Sequence, residues 1–520
     1  MNDTSKRLLS TAIGAALLGA AGCADAVTVN PRGTGQVLLF PYYTVNGGNQ
    51  TLLTVVNTTS DVKAVKVRFR EGLNSRDVLN FNVYLAAYDA WVAAVASVPG
   101  QDAAQLVTND VSCTVPRLDT LSPAQLQFRN YHYTGIEQDY PSNLEAEYGT
   151  SVRTREGHIE MIEMGRLRTG AGATQLAEEV SLREVGQPPA DCNAPRSAWL
   201  PPAGAWLADG AQDILAPTGG LAGNASIVDV ADGTMVSYAA VALVDFYTDA
   251  AAPGALHGQP GSELPNLASA SNGSGSVFAD VDVDGIGPVR EVFPAGARAV
   301  DAVSLTLMRS TLSNDFVADP SLGAATEWVV TFPTRGYYAD TAQLALPPFS
   351  NPFRDDGRSR EPAVPSLFDR DARPWSFDPG CGIIGLPPPE CQPPNFTLDF
   401  SVNVLAFPRQ PDATATPIFG ATIDRGARFV DVAGYAPGTT AGWFGLDFSD
   451  PAQRTFHDLF GPTTGLTYRG LPTIGFATTR IVNTAARPGL IANYAGAQPH
   501  RGTLEGVIVD ASPETREPKP

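Results

Sequence analysis

Alternation of apolar and polar residues with a period of two is the feature that most restricts how this chain can fold. It is clearest in one segment whose apolar residues are Phe396, Leu398, Phe400, Val402 and Val404. Because successive side chains of a β-strand point to opposite faces of a sheet, such a segment is predicted to be a strand with one buried face. Similar segments recur, among them residues 303–307, and 50 glycines and 43 prolines favour turns between them. We therefore predict an all-β, mainly antiparallel fold with long Pro- and Gly-rich loops and a few short helices.

The first strands make this prediction more specific. In residues 65–70, apolar side chains alternate with Lys66, Arg68 and Arg70, which indicates a strand with one face in water. A strand, Asn57-Thr58-Thr59, this charged strand, an Asn-rich strand and Tyr88-Asp89-Ala90-Trp91 follow one another over about 70 residues. This order resembles the start of a bacterial immunoglobulin-like domain, which implies a sandwich fold and no activity. We expect two or more such immunoglobulin-like sandwich units.

A cleavable signal peptide is predicted at residues 1–26. Basic residues precede an apolar run at 8–22, and Ala24-Asp25-Ala26 has the small-x-small pattern that signal peptidase recognises. The alternative is a lipoprotein signal with a lipidated Cys23, although such a signal favours a larger aliphatic residue than Ala20. The expected location is extracytoplasmic: secreted, at the cell surface or in the periplasm of a bacterium.

Composition divides the rest of the chain into predicted segments. The stretch at 250–276 is rich in Ala, Gly, Ser and Pro and is predicted to be linker-like, whereas 347–394 holds 12 of the prolines and is predicted to be a surface excursion without a central strand or helix. We expect an N-terminal β-sandwich domain with an irregular insert at 27–249, a C-terminal β-rich domain at 277–512 and a disordered tail at 513–520.

The cysteines agree with export. Cys113, Cys192, Cys381 and Cys391 remain after cleavage, and an even number in an oxidising compartment suggests two disulfides. We favour Cys381–Cys391 because their close spacing around a Gly- and Pro-rich loop makes closure easy, and Cys113–Cys192 then follows by elimination. The alternative is four unpaired buried thiols. A zinc site is not expected, because there is no Cys-x-x-Cys pair.

Charge limits the class of partner. The formal net charge is −19 and the chain has no basic block, which argues against nucleic acid and anionic membrane surfaces as partners. We predict no transmembrane segment in the mature chain, because no later stretch reaches the roughly 18 to 20 apolar residues that a membrane helix needs. Other envelope proteins, a second copy of the chain, or an extracellular polysaccharide remain as partners.

One motif suggests a metal ion. Asp280, Asp282 and Asp284 precede Gly285, and Glu291 follows six residues after the glycine, which fits a twelve-position calcium loop by residue type. Alternate carboxylates can converge on one hard cation, so structural Ca²⁺ is the one cofactor that the sequence suggests, and none is required. The alternative is an acidic strand of a hairpin, with the three aspartates on a solvated face and an Asp-Gly turn.

Catalytic patterns are weak. His158, Glu160 and Glu163 lie in a predicted strand, in which the first two share a face and the third points away; we interpret this strand as solvated. We predict no catalytic residue, because no catalytic motif stands out. Aromatic pairs that could stack on sugars more often place one ring in the core; they are Tyr42-Tyr43, Tyr131-His132-Tyr133 and Tyr337-Tyr338.

These observations lead to two functional hypotheses. The first is an exported, non-enzymatic component of the cell envelope, cell surface or extracellular matrix. The second is a secreted enzyme or binding protein that acts on a polysaccharide or another extracellular polymer, with carboxylates on loops that only the fold could bring together.

Overall fold

The computed structural model describes twelve stretches of the chain. They are residues 25–181, 187–273, 275–296, 298–339, 345–353, 358–374, 396–408, 410, 412–430, 438–449, 457–483 and 492–508. Strands account for 44% of the structure and helices for 14%, in several antiparallel sheets, which confirms the all-β prediction. The predicted signal peptide up to residue 24, the Cys381–Cys391 pair, much of the 347–394 excursion and the tail lie outside the described residues.

The strands of the N-terminal half are β1 (Thr28–Val29), β2 (Thr34–Gly35), β3 (Val37–Thr44), β4 (Asn49–Asn57), β5 (Lys63–Glu71), β6 (Asp77–Leu85), β7 (Ala90–Ser97), β8 (Ala104–Val107), β9 (Cys113–Val115), β10 (Glu156–Leu167), β11 (Ile214–Leu215), β12 (Leu221–Asp229), β13 (Thr234–Ala239) and β14 (Val241–Val244). The α-helices are α1 (Glu145–Tyr148), α2 (Leu176–Val180), α3 (Asn193–Ala198), α4 (Ala205–Ala208) and α5 (Ala299–Leu307).

The remaining described strands are β15 (Ser276–Val283), β16 (Gly287–Pro294), β17 (Met308–Arg309), β18 (Thr311–Val317), β19 (Ala324–Thr331), β20 (Glu361–Asp369), β21 (Phe396–Leu398), β22 (Val402–Phe407), β23 (Ala427–Phe429), β24 (Ala441–Asp447), β25 (Asp458–Phe460), β26 (Leu466–Arg469), β27 (Leu471–Pro472), β28 (Ile474–Ile481), β29 (Tyr494–Pro499) and β30 (Glu505–Ile508). Short 3₁₀ helices join several of these strands, among them Leu267–Ser269 and Arg335–Tyr337.

Two sheets of the N-terminal half pack face to face. The first has the order β1-β14-β3-β10-β5-β6-β9, and the second has the order β13-β12-β4-β7-β8. Alternation places Val67 and Phe81 of the first sheet and Leu53 and Trp91 of the second in one buried cluster. The Phe81 and Trp91 rings are 5.7 Å apart, so the apolar pattern of each strand fills the space between the sheets.

Two larger sheets form in the C-terminal half. Their orders are β18-β24-β20-β21 and β23-β22-β19-β28-β29, and the rings of Trp328 in β19 and Phe444 in β24 are 5.1 Å apart. Smaller sheets pair β15 with β16, β17 with β27, and β25 with β26 and β30. Both large buried clusters contain side chains from either side of residues 250–276, for example Val37 and Val330 in one of them. The predicted domain limits stay a prediction.

Helix α5 replaces a predicted strand. The alternation at residues 303–307 predicts a strand, but this segment is the C-terminal part of α5, and every residue of α5 is buried. A helix that is buried on all sides has no polar stripe, so its sequence does not show the 3.6-residue period that identifies a surface helix. The strand prediction is therefore wrong here.

Strand β20 lies inside the Pro-rich excursion, which was predicted to hold no central strand or helix. It pairs with β21 through Glu361–Ala363 and with β24 through Val364–Asp369. Each half of β20 therefore pairs with a single neighbouring strand in the described structure. Pro362 and Pro365 fit because a proline without an N–H is tolerated where a strand behaves as an edge.

The predicted Cys113–Cys192 disulfide is confirmed. It joins β9 to the residue before α3 across a sequence separation of 79, with the two Cα atoms 4.9 Å apart. Since α3 and α2 contact each other, the bridge fastens the irregular insert to the edge strand of the first sheet.

Candidate functional site

A buried group of charges lies on one face of the first sheet. The register between β5 and β10 places Arg68 opposite Glu160 and Arg70 opposite His158, so all four side chains share that face. Lys66 is 0% exposed, Arg68 2%, and His158 and Glu160 1% each. The predictions that β5 has a face in water and that His158 and Glu160 lie on a solvated strand are therefore wrong. Glu163 points to the other face, as predicted, and is buried there.

Residues 258–263, part of the predicted linker-like segment, cover this face; we call them the carbonyl strap. Their backbone carbonyls accept hydrogen bonds from side chains of the sheet: Gly258 O from Asn82 Nδ2 (3.0 Å), Gln259 O from Lys66 Nζ (2.8 Å), Ser262 O from Asn80 Nδ2 (2.8 Å) and Glu263 O from Arg68 Nη1 (2.8 Å). Backbone carbonyls do this whatever the side chains are, so an Ala-, Gly- and Ser-rich segment can cover a charged strand.

The charges under the carbonyl strap compensate one another. Arg68 donates from Nε and Nη2 to Asp77 Oδ2 at 3.0 and 2.8 Å, and the Glu160 oxygens lie 3.6 Å from Arg68 Nη1 and 3.5 Å from Arg70 Nε. Burial alone would raise the pKa of Asp77, but Arg70 and Arg68 hold it below its usual value. Burial and the nearby Arg70 lower the pKa of His158 to about 3. At neutral pH, Asp77 is therefore charged and His158 is neutral.

Several buried polar atoms of this group make no hydrogen bond to any described residue. They are both carboxylate oxygens of Glu160, both ring nitrogens of His158, Oδ1 of Asp77, Oγ of Ser75 and Nε of Arg70. More than nine-tenths of the buried polar groups in folded proteins are hydrogen-bonded, so a cluster of such atoms needs an explanation. A ligand or ordered water that reaches them would supply one.

Three of these residues, Arg70, Ser75 and Asp77, line a cleft of about 230 Å³, which we call the charged cleft. Its lining residues are Arg68, Arg70, Asn74, Ser75, Arg76, Asp77, His132, Glu263, Asn266, Gly336, Tyr337 and Ala339. The hydroxyl of Tyr337 accepts a hydrogen bond from the backbone N–H of Leu267, which fixes its position in the cleft wall. Burial and the Glu160 charge raise the pKa of Tyr337, so its hydroxyl stays protonated. The charged cleft is our candidate functional site.

Five other buried glutamates contrast with Glu160, because each accepts hydrogen bonds from the backbone of a loop. We call these five residues the glutamate anchors. Glu71 accepts from the backbone N–H groups of Leu73, Asn74 and Arg76, Glu163 accepts from those of Thr218 and Gly219, and Glu291 accepts from that of Thr463. Glu327 accepts from the backbone N–H groups of Ile418 and Phe419, and Glu361 accepts from those of Ser350 and Asn351. All five are 0% exposed. Each anchor satisfies loop donors that would otherwise be buried without a partner.

Two anchors show how such carboxylates are stabilised. Glu71 also binds Arg153, whose Nη2 lies 2.9 Å from Glu71 Oε1 and whose Nη1 lies 2.7 Å from Asp139 Oδ1. Glu327 has no comparable cation in contact among the described residues, and burial raises its pKa to about 7 although Ile418, Phe419 and Thr416 donate hydrogen bonds to it. Glu327 is therefore partly protonated near neutral pH.

The residues of the predicted calcium motif lie on the hairpin of β15 and β16. Asp280 pairs with Arg290 across the hairpin, with Nη2 and Oδ2 2.6 Å apart, and Asp280, Asp282 and Asp284 line a cleft of about 520 Å³. Glu291 stands opposite Ala279 on the other face, where it is one of the glutamate anchors and also accepts from Tyr468 Oη at 2.7 Å. The backbone of this motif is therefore a β-hairpin, which was the alternative to a calcium loop. In the described stretches no group of three or more His, Cys, Asp or Glu is arranged to hold a metal ion.

The aromatic groups singled out in the sequence differ in how far their rings are buried. Tyr131 is 67% exposed and Tyr133 is buried, as the sequence predicts, whereas Tyr42 and Tyr43 are both buried in the core. Tyr337 and His132 are the members of these groups that line the charged cleft. Asp77 and Glu263 were not predicted as cleft residues, because no local pattern in the sequence indicates that the segment at 250–276 folds back over β5 and β6.

No helix in the described stretches is both long and apolar enough to cross a membrane. Comparison with known proteins gave no match to any family model, to any curated protein or to any solved structure.

Proposed function

We propose that this chain is an exported, non-enzymatic component of the cell envelope, cell surface or extracellular matrix, and that it binds a ligand in the charged cleft. The observation that carries the cellular location is the Cys113–Cys192 disulfide, since such bonds persist in oxidising compartments and are rare in the cytosol. The signal pattern at residues 1–26 supports the same location.

Thiol trapping in cells tests this proposal. Cells that express the chain are quenched with an alkylating reagent, fractionated, and the tryptic peptides are analysed by mass spectrometry. We expect the Cys113–Cys192 linkage in the extracytoplasmic fraction and a mature chain that starts near Val27. An intact polypeptide with alkylated Cys113 and Cys192 in the cytosol would contradict the proposal.

Replacing Cys113 by serine measures what the bond contributes. We expect a loss of about 2 to 5 kcal/mol in the free energy of unfolding under oxidising conditions, because the bridge closes a long loop. Under reducing conditions the Cys113→Ser variant and the unmodified chain should unfold alike. Equal stability of the two under oxidising conditions would show that the bond does not form.

An immunoglobulin-like sandwich is our proposal for the first two sheets. β3, β5 and β6 lie in one sheet, and β4, β7 and β8 lie side by side in the other, which matches how an immunoglobulin domain distributes its strands B, D, E and C, F, G. The insertion of β10 between β3 and β5 departs from that pattern. An experimental structure with a different distribution of these six strands would end the proposal.

A secreted enzyme that acts on a polysaccharide is the second candidate. The observation that favours it is the pair His158 and Glu160, which are buried beside the cleft residues Arg70 and Arg68 without hydrogen-bond partners among the described residues. If it were correct, incubation with neutral polysaccharides would release reducing ends, and Glu160→Gln would abolish that release. Turnover that survives Glu160→Gln would exclude this pair as its source.

A structural calcium ion remains a separate proposal, supported by the three aspartates that line the hairpin cleft. It would be bound without Glu291, which serves Thr463, Thr464 and Tyr468 instead. Melting curves with millimolar Ca²⁺ and with a chelator test this proposal, and Asp282→Asn is the diagnostic variant. Identical midpoints in the two conditions would rule the ion out.

A further inference from the structure

We propose that the charged cleft binds one neutral, polyhydroxylated unit, such as a single uncharged sugar of a glycan. This rests on the proposed function, which makes the cleft a binding site, and it adds the chemical class of the ligand. Three features of the cleft carry it: the balance of charge, the type of atom left without a hydrogen bond, and the size.

Charge in and behind the cleft is balanced. The positive groups are Arg68, Arg70 and Arg76, and the negative groups are Asp77, Glu263 and, behind them, Glu160. Arg68 and Arg70 are already matched by Asp77 and Glu160 at 2.8 to 3.6 Å. An anion or a cation would add an uncompensated charge at low dielectric, which is costly, whereas a neutral ligand would not.

Three of the lining residues carry a buried polar atom that makes no hydrogen bond to any described residue. Asp77 Oδ1 and Ser75 Oγ belong to residues that are 5% and 4% exposed, and both line the cleft. The carboxylate oxygen can only accept a hydrogen bond, and the hydroxyl can accept or donate one. The Arg70 Nε–H is a donor without a hydrogen-bond acceptor in the same wall. A hydroxyl group donates to one neighbour and accepts from another, so adjacent hydroxyls of a sugar match this set.

Size limits the ligand to a small unit. The cleft holds about 230 Å³, below the roughly 300 to 1,000 Å³ typical of sites for drug-sized ligands. Tyr337 adds an aromatic edge to an otherwise polar wall, and Glu263, with a side chain 70% exposed, stands at the rim. A sugar unit could enter there while the rest of a glycan stays in solvent.

Three ligands of the same ring shape provide the test: methyl glucoside, methyl glucuronide and glucosamine, followed by neutral, acidic and amino-sugar glycans on an array. Binding to the full mature chain is measured by saturation-transfer NMR and calorimetry. We expect the neutral members to bind at least tenfold more tightly than the acidic and basic members. Equal or tighter binding of a charged member, or no binding of any member, would overturn the proposal.

Variants locate the site. Asp77→Asn should weaken neutral-glycan binding at least tenfold, and Glu263→Ala, which removes an exposed rim group and leaves the strap carbonyl in place, should weaken it about threefold. Asp282→Asn in the hairpin cleft is the matched control and should bind as the unmodified chain does. Unchanged affinity in both cleft variants would refute the site. If no glycan binds but the chain is exported with its disulfide intact, the ligand proposal fails and the proposed location stands. A cytosolic, reduced chain would contradict both the location and the ligand proposal.

Discussion

The glutamate anchors and the Glu160–His158 pair are equally buried and differ in what surrounds them. Glu291 and Glu327 each receive at least two hydrogen bonds from a loop, whereas Glu160 and His158 receive none from the described residues. Burial of a polar group costs free energy unless hydrogen bonds replace those of water. The anchors meet this condition and serve stability. The Glu160–His158 pair does not, and it lies beside Arg68 and Arg70, which line the charged cleft.

Under our proposal, this difference separates buried charge that holds the fold from buried charge that lies next to a ligand site. Strand β5, which carries Arg68 and Arg70, is hydrogen-bonded along both edges, because it lies between β10 and β6. An unsatisfied group can therefore persist there because the surrounding strands fix its position. The following predictions test whether the two kinds of site differ in stability as well as in geometry.

The largest effect should follow loss of Arg153. Arg153→Ala leaves Glu71 and Asp139 buried without their cation, and breaking such a pair typically costs about 3 to 5 kcal/mol. Denaturant unfolding measures this loss. The control is Arg373→Ala, which removes an exposed partner of Asp369 and Asp371 and should cost below about 1 kcal/mol. Similar losses in the two variants would show that the anchor of Glu71 does not depend on its ion pair.

Acid should change the contributions of Glu327 and His158 to stability in opposite directions. Glu327 has a pKa of about 7 in the folded state, so its contribution to stability is full below pH 4.5 and is lost as the pH rises to 7, by about 3 kcal/mol. His158 has a folded-state pKa of about 3, so the unfolded chain takes up its proton first. Stability then falls by about 3 kcal/mol as the pH drops from 6.5 to 4.5.

Unfolding of Glu327→Gln and His158→Gln across pH 4.5 to 7 checks both signs. Relative to each variant, the unmodified chain should gain stability on acidification in the first comparison and lose it in the second. Parallel curves for either variant would mean that its group titrates alike in the folded and unfolded states.

The smallest effect should come from removing one carboxylate charge at a time. Glu291→Gln places an amide donor against the donors of Thr463, Thr464 and Tyr468 and should cost about 1 to 3 kcal/mol. Glu160→Gln loses no hydrogen bond to the described residues, but it removes one of the two carboxylates that compensate Arg68 and Arg70, so we expect it to cost no more than Glu291→Gln does. Thermal or chemical unfolding of the two variants gives the comparison. A larger cost for Glu160→Gln would reverse the assignment of roles.

Local sequence patterns predicted much of the fold but little of the site. The period-two segments at Val65–Phe69 and His158–Met164 are strands because alternation depends only on the geometry of each strand. The Cys113–Cys192 pair was predicted from the number of cysteines and by elimination. The exposure of Lys66, Arg68, His158 and Glu160 was predicted wrongly, because a polar face looks the same in sequence whether water or a backbone segment covers it.

The sequence by itself determined the β architecture, one disulfide and the apolar faces that fill the core, since these follow from side-chain period and composition. Only the tertiary structure decided that the strap carbonyls of Gln259 and Glu263 lie on Lys66 and Arg68, and that Glu291 joins the loop at Thr463 instead of the aspartates of its own hairpin. The physical reason is that each of these contacts links residues more than 150 positions apart. Their partners are chosen by how whole sheets pack, which no local pattern records.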